Sequence, residues 1–159
     1  MTLRAVLFIQ LFNHTCFRGS KVLLTLFAVE LGASPMVAGM LFALYSLLPT
    51  LLSIYAGRLS DAAGYRLPML LGTAGLTVGL LVPFFVPTLT ALAFSATIAG
   101  SCYIFYTVSV QSLVGSLGGE DKRTYNYAMY SLAVSITALT GPLLAGFALG
   151  VCVTFIPIA

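Results

Sequence analysis

Charge is what this sequence has least of. Only 7% of its 159 residues are Asp, Glu, Lys or Arg, against 60% hydrophobic residues and a mean hydropathy of +1.07. A soluble domain carries about 25% charged residues. So few charges cannot cover a water-soluble globule of this size, and lipid is the expected solvent for most of the chain. The seven Lys/Arg and four Asp/Glu give a net charge of +3. The basic residues are scattered, which argues against nucleic-acid binding. Histidine occurs once. The chain has no H-E-x-x-H, no metal-ligand cluster and no nucleophile–base constellation, so enzymatic activity, a metal site and a cofactor are not expected. Cys16, Cys102 and Cys152 are odd in number, lie in apolar stretches and include no C-x-x-C pair, so they read as small buried hydrophobes. A secretory signal is not expected either. The apolar run Ala5–Phe12 is short, Asn13-His14 interrupts it, and no A-x-A-like cleavage site follows.

What the chain has is long apolar runs. A spanning helix needs about 20 mostly apolar residues. Five stretches qualify: about 3–31, 35–56, 68–86, 89–117 and 127–149. The expected fold class is all-α, a polytopic helical membrane bundle occupying residues 1–159 as one domain. Gly32–Pro35 and Pro87-Thr88 are short turns, and 57–67 and 116–124 hold most of the charge. If the helices alternate in direction, Arg4, Arg58, Arg66, Lys122 and Arg123 share one side. By the positive-inside rule that side is cytoplasmic, together with the N-terminus. The run 151–159 begins a further apolar segment of about 14 Å, too short for a hydrocarbon core of about 30 Å. It is expected to be an incomplete sixth helix, and the chain a truncated piece.

The first stretch carries a polar stripe. At about 100° per residue, Gln10, His14, Arg18, Lys21 and Thr25 fall within an arc of about 80°. A charge at mid-span costs at least about 2.5–3.5 kcal/mol on insertion scales. The stripe should therefore avoid lipid. Three readings stay open. It faces a water-filled path and contacts an anionic or hydrogen-bonding solute. It forms a structural ion pair with an acid outside the chain. Or the span starts later, near Phe17, leaving Asn13 and His14 at the cytoplasmic face. In the fourth stretch Tyr103, Thr107 and Gln111 share a face, suited to solute contact or to helix ties. In the fifth, Gly141, Ala145 and Ala138 offer small groups for close approach, and Pro142 removes a backbone donor beside them. Packing and a hinge or gate are both open there.

The segment Gly57-Arg58-Leu-Ser-Asp61-Ala-Ala-Gly64-Tyr-Arg66 resembles the signature loop of the major facilitator superfamily, G-x-x-x-D-x-x-G-x-R/K. It lies between the second and third helices, as in that family. Gly57, Asp61, Gly64 and Arg66 match. Ala62 stands where a basic residue is usual, and Tyr65 separates Gly64 from Arg66. Glu30–Ser34 with Gly39, Leu44-Tyr45 and Pro49 looks like the first turn and second helix of bacterial members. Thr140-Gly141-Pro142-Leu-Leu-Ala145-Gly146 resembles the G-P-x-x-G-G element of the fifth helix, with Ala145 for one glycine. The fourth stretch lacks the intramembrane arginine of proton-coupled antiporters. The resemblance implies the N-terminal half of a secondary transporter in a bacterial inner membrane, moving small solutes by alternating access. The first and fourth helices would line its path. The signature loop would lock the cytoplasmic side against a C-terminal half that this chain lacks. By itself such a chain is expected to be inactive, or to be a non-transporting assembly or regulatory partner.

Overall fold

A computed structural model describes residues 2–155. It contains five helices: α1 (Leu3–Glu30), α2 (Pro35–Ala63), α3 (Arg66–Phe85), α4 (Leu89–Ser116) and α5 (Glu120–Phe155). Each junction has a local cause. Pro35 opens α2, where its missing N–H is not needed, and the Ser34 hydroxyl accepts from the Val37 N–H at 3.4 Å. Thr88 caps α4 the same way, accepting from Ala91 at 3.3 Å. Gly64 leaves α2 at φ 72°, ψ 174°, a region that is essentially glycine-only. Gly118 and Gly119 turn α4 into α5 at φ 80° and 79°.

Four helices, α2 to α5, are long and apolar enough to cross a membrane. The expected count of five is not reached on composition. α1 has the length, 28 residues, but its polar stripe keeps it out of that class. Residues 151–155 continue α5 without a break, so no separate sixth helix begins there. Residues 156–159, and the side chain of Cys152, lie outside the described residues. Two further boundaries move. α2 runs seven residues past Ala56, and α5 starts at Glu120 rather than near Tyr127. Both extensions are polar. A hydropathy criterion ends a helix where apolar residues stop, whereas backbone hydrogen bonding continues into the aqueous boundary.

α1 and α4 are central, each touching every other helix, while among the described residues α2 and α5 flank them without meeting. Close approach rests on small residues. On α3, Gly72 and Gly79 abut α4: a Cβ at Gly72 would stand 2.8 Å from the Cys102 carbonyl oxygen, and one at Gly79 3.1 Å from the Ala99 nitrogen. Gly75 lies against Cys102 in the same seam. Ser95 on α4 donates to the Gly79 carbonyl at 2.6 Å. Gly100 on α4 meets the Tyr45 carbonyl and Pro49 of α2 at 3.0 and 3.1 Å. Pro49 is buried, and the neighbouring glycine is what leaves room for its ring. Glycines and small residues at helix contacts are how membrane helices pack without a hydrophobic driving force between them. The core holds Tyr45, Tyr103, Tyr106, Val110 and Leu113. Phe12, Leu51, Leu70, Phe84 and Leu139 point outward, as side chains solvated by lipid do. Cys16 is exposed and Cys102 half-buried, so the expectation that all three cysteines are buried fails for Cys16.

Candidate functional site

The polar residues of α1 form a ladder at four-residue steps. Gln10 is fully buried, with Nε2 3.2 Å from His14 Nδ1 and 3.4 Å from the Tyr130 hydroxyl on α5. Arg18 Nε donates to His14 Nε2 at 3.2 Å. That nitrogen is therefore the acceptor, and the ring hydrogen belongs on Nδ1, facing Gln10. With the Gln10 amide as placed, Oε1 is buried without a partner. An amide turned to present Oε1 to Nδ1–H would satisfy the pair.

Lys21 leaves this line and reaches α2. Its Nζ donates to the Ser46 hydroxyl at 2.9 Å and sits 3.7 Å above the Phe42 ring centroid, within cation–π range. Thr25 spends its hydroxyl hydrogen on the Lys21 carbonyl at 2.8 Å, so it does not offer it to a solute.

α4 meets this ladder from the other side. Tyr103 stacks on Phe17 of α1, with centroids 3.8 Å apart and planes within 7°, and its ring centroid lies 5.5 Å from that of His14. The buried hydroxyls of Tyr103 and Thr107 are neighbours, yet neither has a hydrogen-bond partner in satisfactory geometry. Gln111 is exposed, and its Nε2 lies 3.5 Å from the Tyr130 hydroxyl. Tyr130 thus joins Gln10 to Gln111. The structure brings together Gln10, His14, Arg18, Tyr103 and Gln111, sets Lys21 to one side, and turns Thr25 inward to its own backbone.

Tyr130, Phe17, Phe42 and Ser46 were not singled out from sequence. Tyr130 follows Asn126 by four residues, and Asn126 donates to the Val114 and Leu117 carbonyls at the end of α4. That polar i, i+4 pair was the available signal for a buried face on α5. Gln10 and His14 sit inside an unbroken α1 and are buried.

The segment Gly57–Arg66 is less a loop than a helix end and a corner. Gly57 to Ala63 complete α2, Gly64 and Tyr65 make the turn, and Arg66 opens α3. Arg58, Asp61, Gly64 and Arg66 are exposed. The Arg66 guanidinium lies 5.9 Å from the Tyr65 ring centroid. It borders a cleft of about 480 Å³ between α1 and α3, lined also by Ile9, Asn13, Met69 and Tyr106. Gly57 has open space around it, so packing does not require a glycine there.

In α5, Gly141 is buried where the helix crosses α1. A Cβ there would stand 2.7 Å from Arg18 Cβ and 3.4 Å from the Thr15 carbonyl oxygen. Ala145 is buried beside it, near Gly19, while Ala138, Pro142 and Gly146 are exposed. The close-approach face is thus narrower than the sequence pattern suggests. The crossing fixes the height of Arg18 against α5.

No curated protein and no solved structure matches this chain. The family description Major Facilitator Superfamily matches it over residues 6–156, nearly its whole length. Together with a multi-helix apolar bundle, that match places the chain, a multi-pass membrane protein, in the Major Facilitator Superfamily of transporters.

Proposed function

We propose that this chain forms one wall of a secondary transporter for a small anionic solute, with Arg18 as the principal anchor. The observation that carries the reading is the position of Arg18. It lies in the middle of α1, it donates to a neutral imidazole, and among the described residues no carboxylate pairs with it. A guanidinium so placed is costly unless water or an anion reaches it. His14 orients it, Gln10 and Tyr130 brace His14, and Tyr103, Thr107 and Gln111 offer hydrogen bonds from the α4 side.

In a whole transporter of this type two helical halves rock about a midplane site, exposing it to each side in turn. The five helices here supply only one side of such a path, so the chain does not transport alone. The corner at Gly64 and the exposed Arg58, Asp61 and Arg66 would meet a second half on the cytoplasmic side. Gly141 and Ala145 would keep α1 and α5 moving as one body. The basic residues at the helix ends support a cytoplasmic N-terminus.

The test is anion binding by calorimetry to the purified chain in lipid nanodiscs. Arg18→Ala should weaken binding at least about tenfold, the equivalent of one charge-assisted contact. His14→Ala should weaken it less, since it disturbs only the orientation of Arg18. Unchanged affinity in both variants would sink the reading. A second reading is favoured by the same open face. Among the described residues α2 and α5 flank α1 and α4 without meeting, which suits a non-transporting partner docking on another membrane protein. Co-purification with a complete transporter, without anion binding, would support that role.

A further inference from the structure

Two positive charges, and among the described residues no negative one, stand well inside a helix rather than near its end. Arg18 and Lys21 are both in α1. All four acids stand at helix ends: Glu30 closes α1, Asp61 lies near the end of α2, and Glu120 and Asp121 open α5. Glu30 is nine positions from Lys21, about 13 Å along the helix. It is exposed, so it does not neutralise the pair.

The partners of the two cations carry no charge. Arg18 has the His14 imidazole, and Lys21 has the Ser46 hydroxyl and the Phe42 ring face. A guanidinium has five N–H donors. Among the described residues one of them is used. Positions 18 and 21 are i, i+3 neighbours, about 5–6 Å apart at Cβ. Both side chains are partly exposed. They diverge, with Arg18 beside α5 and Lys21 against α2. The two side chains therefore leave α1 toward two helices that, among the described residues, do not touch each other.

Resting on the anionic-solute reading above, we infer that the solute is a dianion, one negative group on Arg18 and the second charge on Lys21. A dicarboxylate and a phosphate monoester share that chemistry. A monoanion would leave one cation in the span uncompensated, at a cost of about 2.5–3.5 kcal/mol on insertion scales. Lys21 is held by one neutral hydrogen bond and a ring face, both readily exchanged for an anionic group on a flexible four-carbon stem.

The experiment compares dianions with monoanions of the same skeleton. The chain in nanodiscs at about pH 7.5 is titrated with succinate and with monomethyl succinate. In parallel it is titrated with methyl phosphate and with dimethyl phosphate. At that pH both succinate carboxyls and the phosphate monoester are fully or almost fully ionised. At least one dianion should bind on the order of tenfold tighter than its monoanionic counterpart, as one extra ion pair requires. Which pair shows the preference tells dicarboxylate from phosphate ester. Lys21→Gln, checked for helix content by circular dichroism, should bring that ratio to about one. Equal affinity of dianion and monoanion, with both dependent on Arg18, would overturn the inference and leave the anionic reading standing. Absence of binding by all four probes, or binding indifferent to Arg18→Gln, would overturn both. The wild-type ratio needs no variant to fold.

Discussion

Gly64 turns α2 into α3 at φ 72°, ψ 174°, a region that side chains other than glycine's avoid. Gly64→Ala should destabilise the chain by roughly 1–3 kcal/mol, read as a lower unfolding temperature in detergent. Gly57→Ala should cost nothing measurable, because nothing lies within 4 Å of the Cβ it would add. A loss of fold in Gly57→Ala would contradict this account of the corner. Tyr130 carries a different weight. Its hydroxyl holds Gln10 and Gln111 at 3.4 and 3.5 Å, both long for hydrogen bonds. Tyr130→Phe should therefore cost only about 0.5–1.5 kcal/mol of stability, while loosening the brace behind His14. If anion affinity falls in Tyr130→Phe as far as in Arg18→Ala, Tyr130 contacts the solute itself. At this scale the sequence showed the polar residues of α1 well, since their four-residue spacing places them on one face in any helix. It did not show Tyr130, Phe42 or Ser46, which matter only because α5 and α2 happen to stand beside α1 at those heights.

The helices meet through glycine seams, and these set what each contact tolerates. Gly72 lies 2.8 Å, in the Cβ sense, from backbone and side-chain atoms of Cys102 and Tyr106. Backbone cannot step aside as a flexible side chain does. Gly72→Leu should push α3 off α4 and destabilise the bundle by about 1–3 kcal/mol or more, measurable by thermal unfolding. Gly141→Val should act on the α1–α5 crossing and shift Arg18, so it should lower anion binding as well as stability. A variant that unfolds earlier yet binds as wild type would show that the crossing holds the fold and not the site. Element identity was legible in the apolar runs. Element ends were not. Gly57 to Ala63 and Glu120 to Asn126 are polar helix that projects past the apolar zone, where water rather than lipid sets the side-chain preference.

For the whole molecule, Arg4, Arg58, Arg66, Lys122 and Arg123 all lie at or near helix ends, and alternation of α1 to α5 through short turns would put them on one side. The expected orientation puts that side in the cytoplasm. In a chain whose three cysteines are replaced by serine, Ala33→Cys should react with a membrane-impermeant maleimide added to intact cells. Glu120→Cys should react only after lysis. The reverse pattern would invert the topology and move the Gly64 corner to the outside.

The sequence by itself determined that lipid is the solvent, that the chain is a set of long helices, and where the turns with glycine or proline fall. Those are properties of composition and local backbone sterics, which need no partner. The place of Arg18 and Lys21, three residues apart in the middle of the first long stretch, was legible there too. Only the tertiary structure decided what they meet. Packing put a neutral histidine under Arg18 and carried Lys21 off to α2. It also set the Tyr130 hydroxyl between Gln10 and Gln111. Charge was the rarest thing in the chain, and its arrangement in space, set by glycine contacts between helices far apart in sequence, is what points to a doubly charged solute.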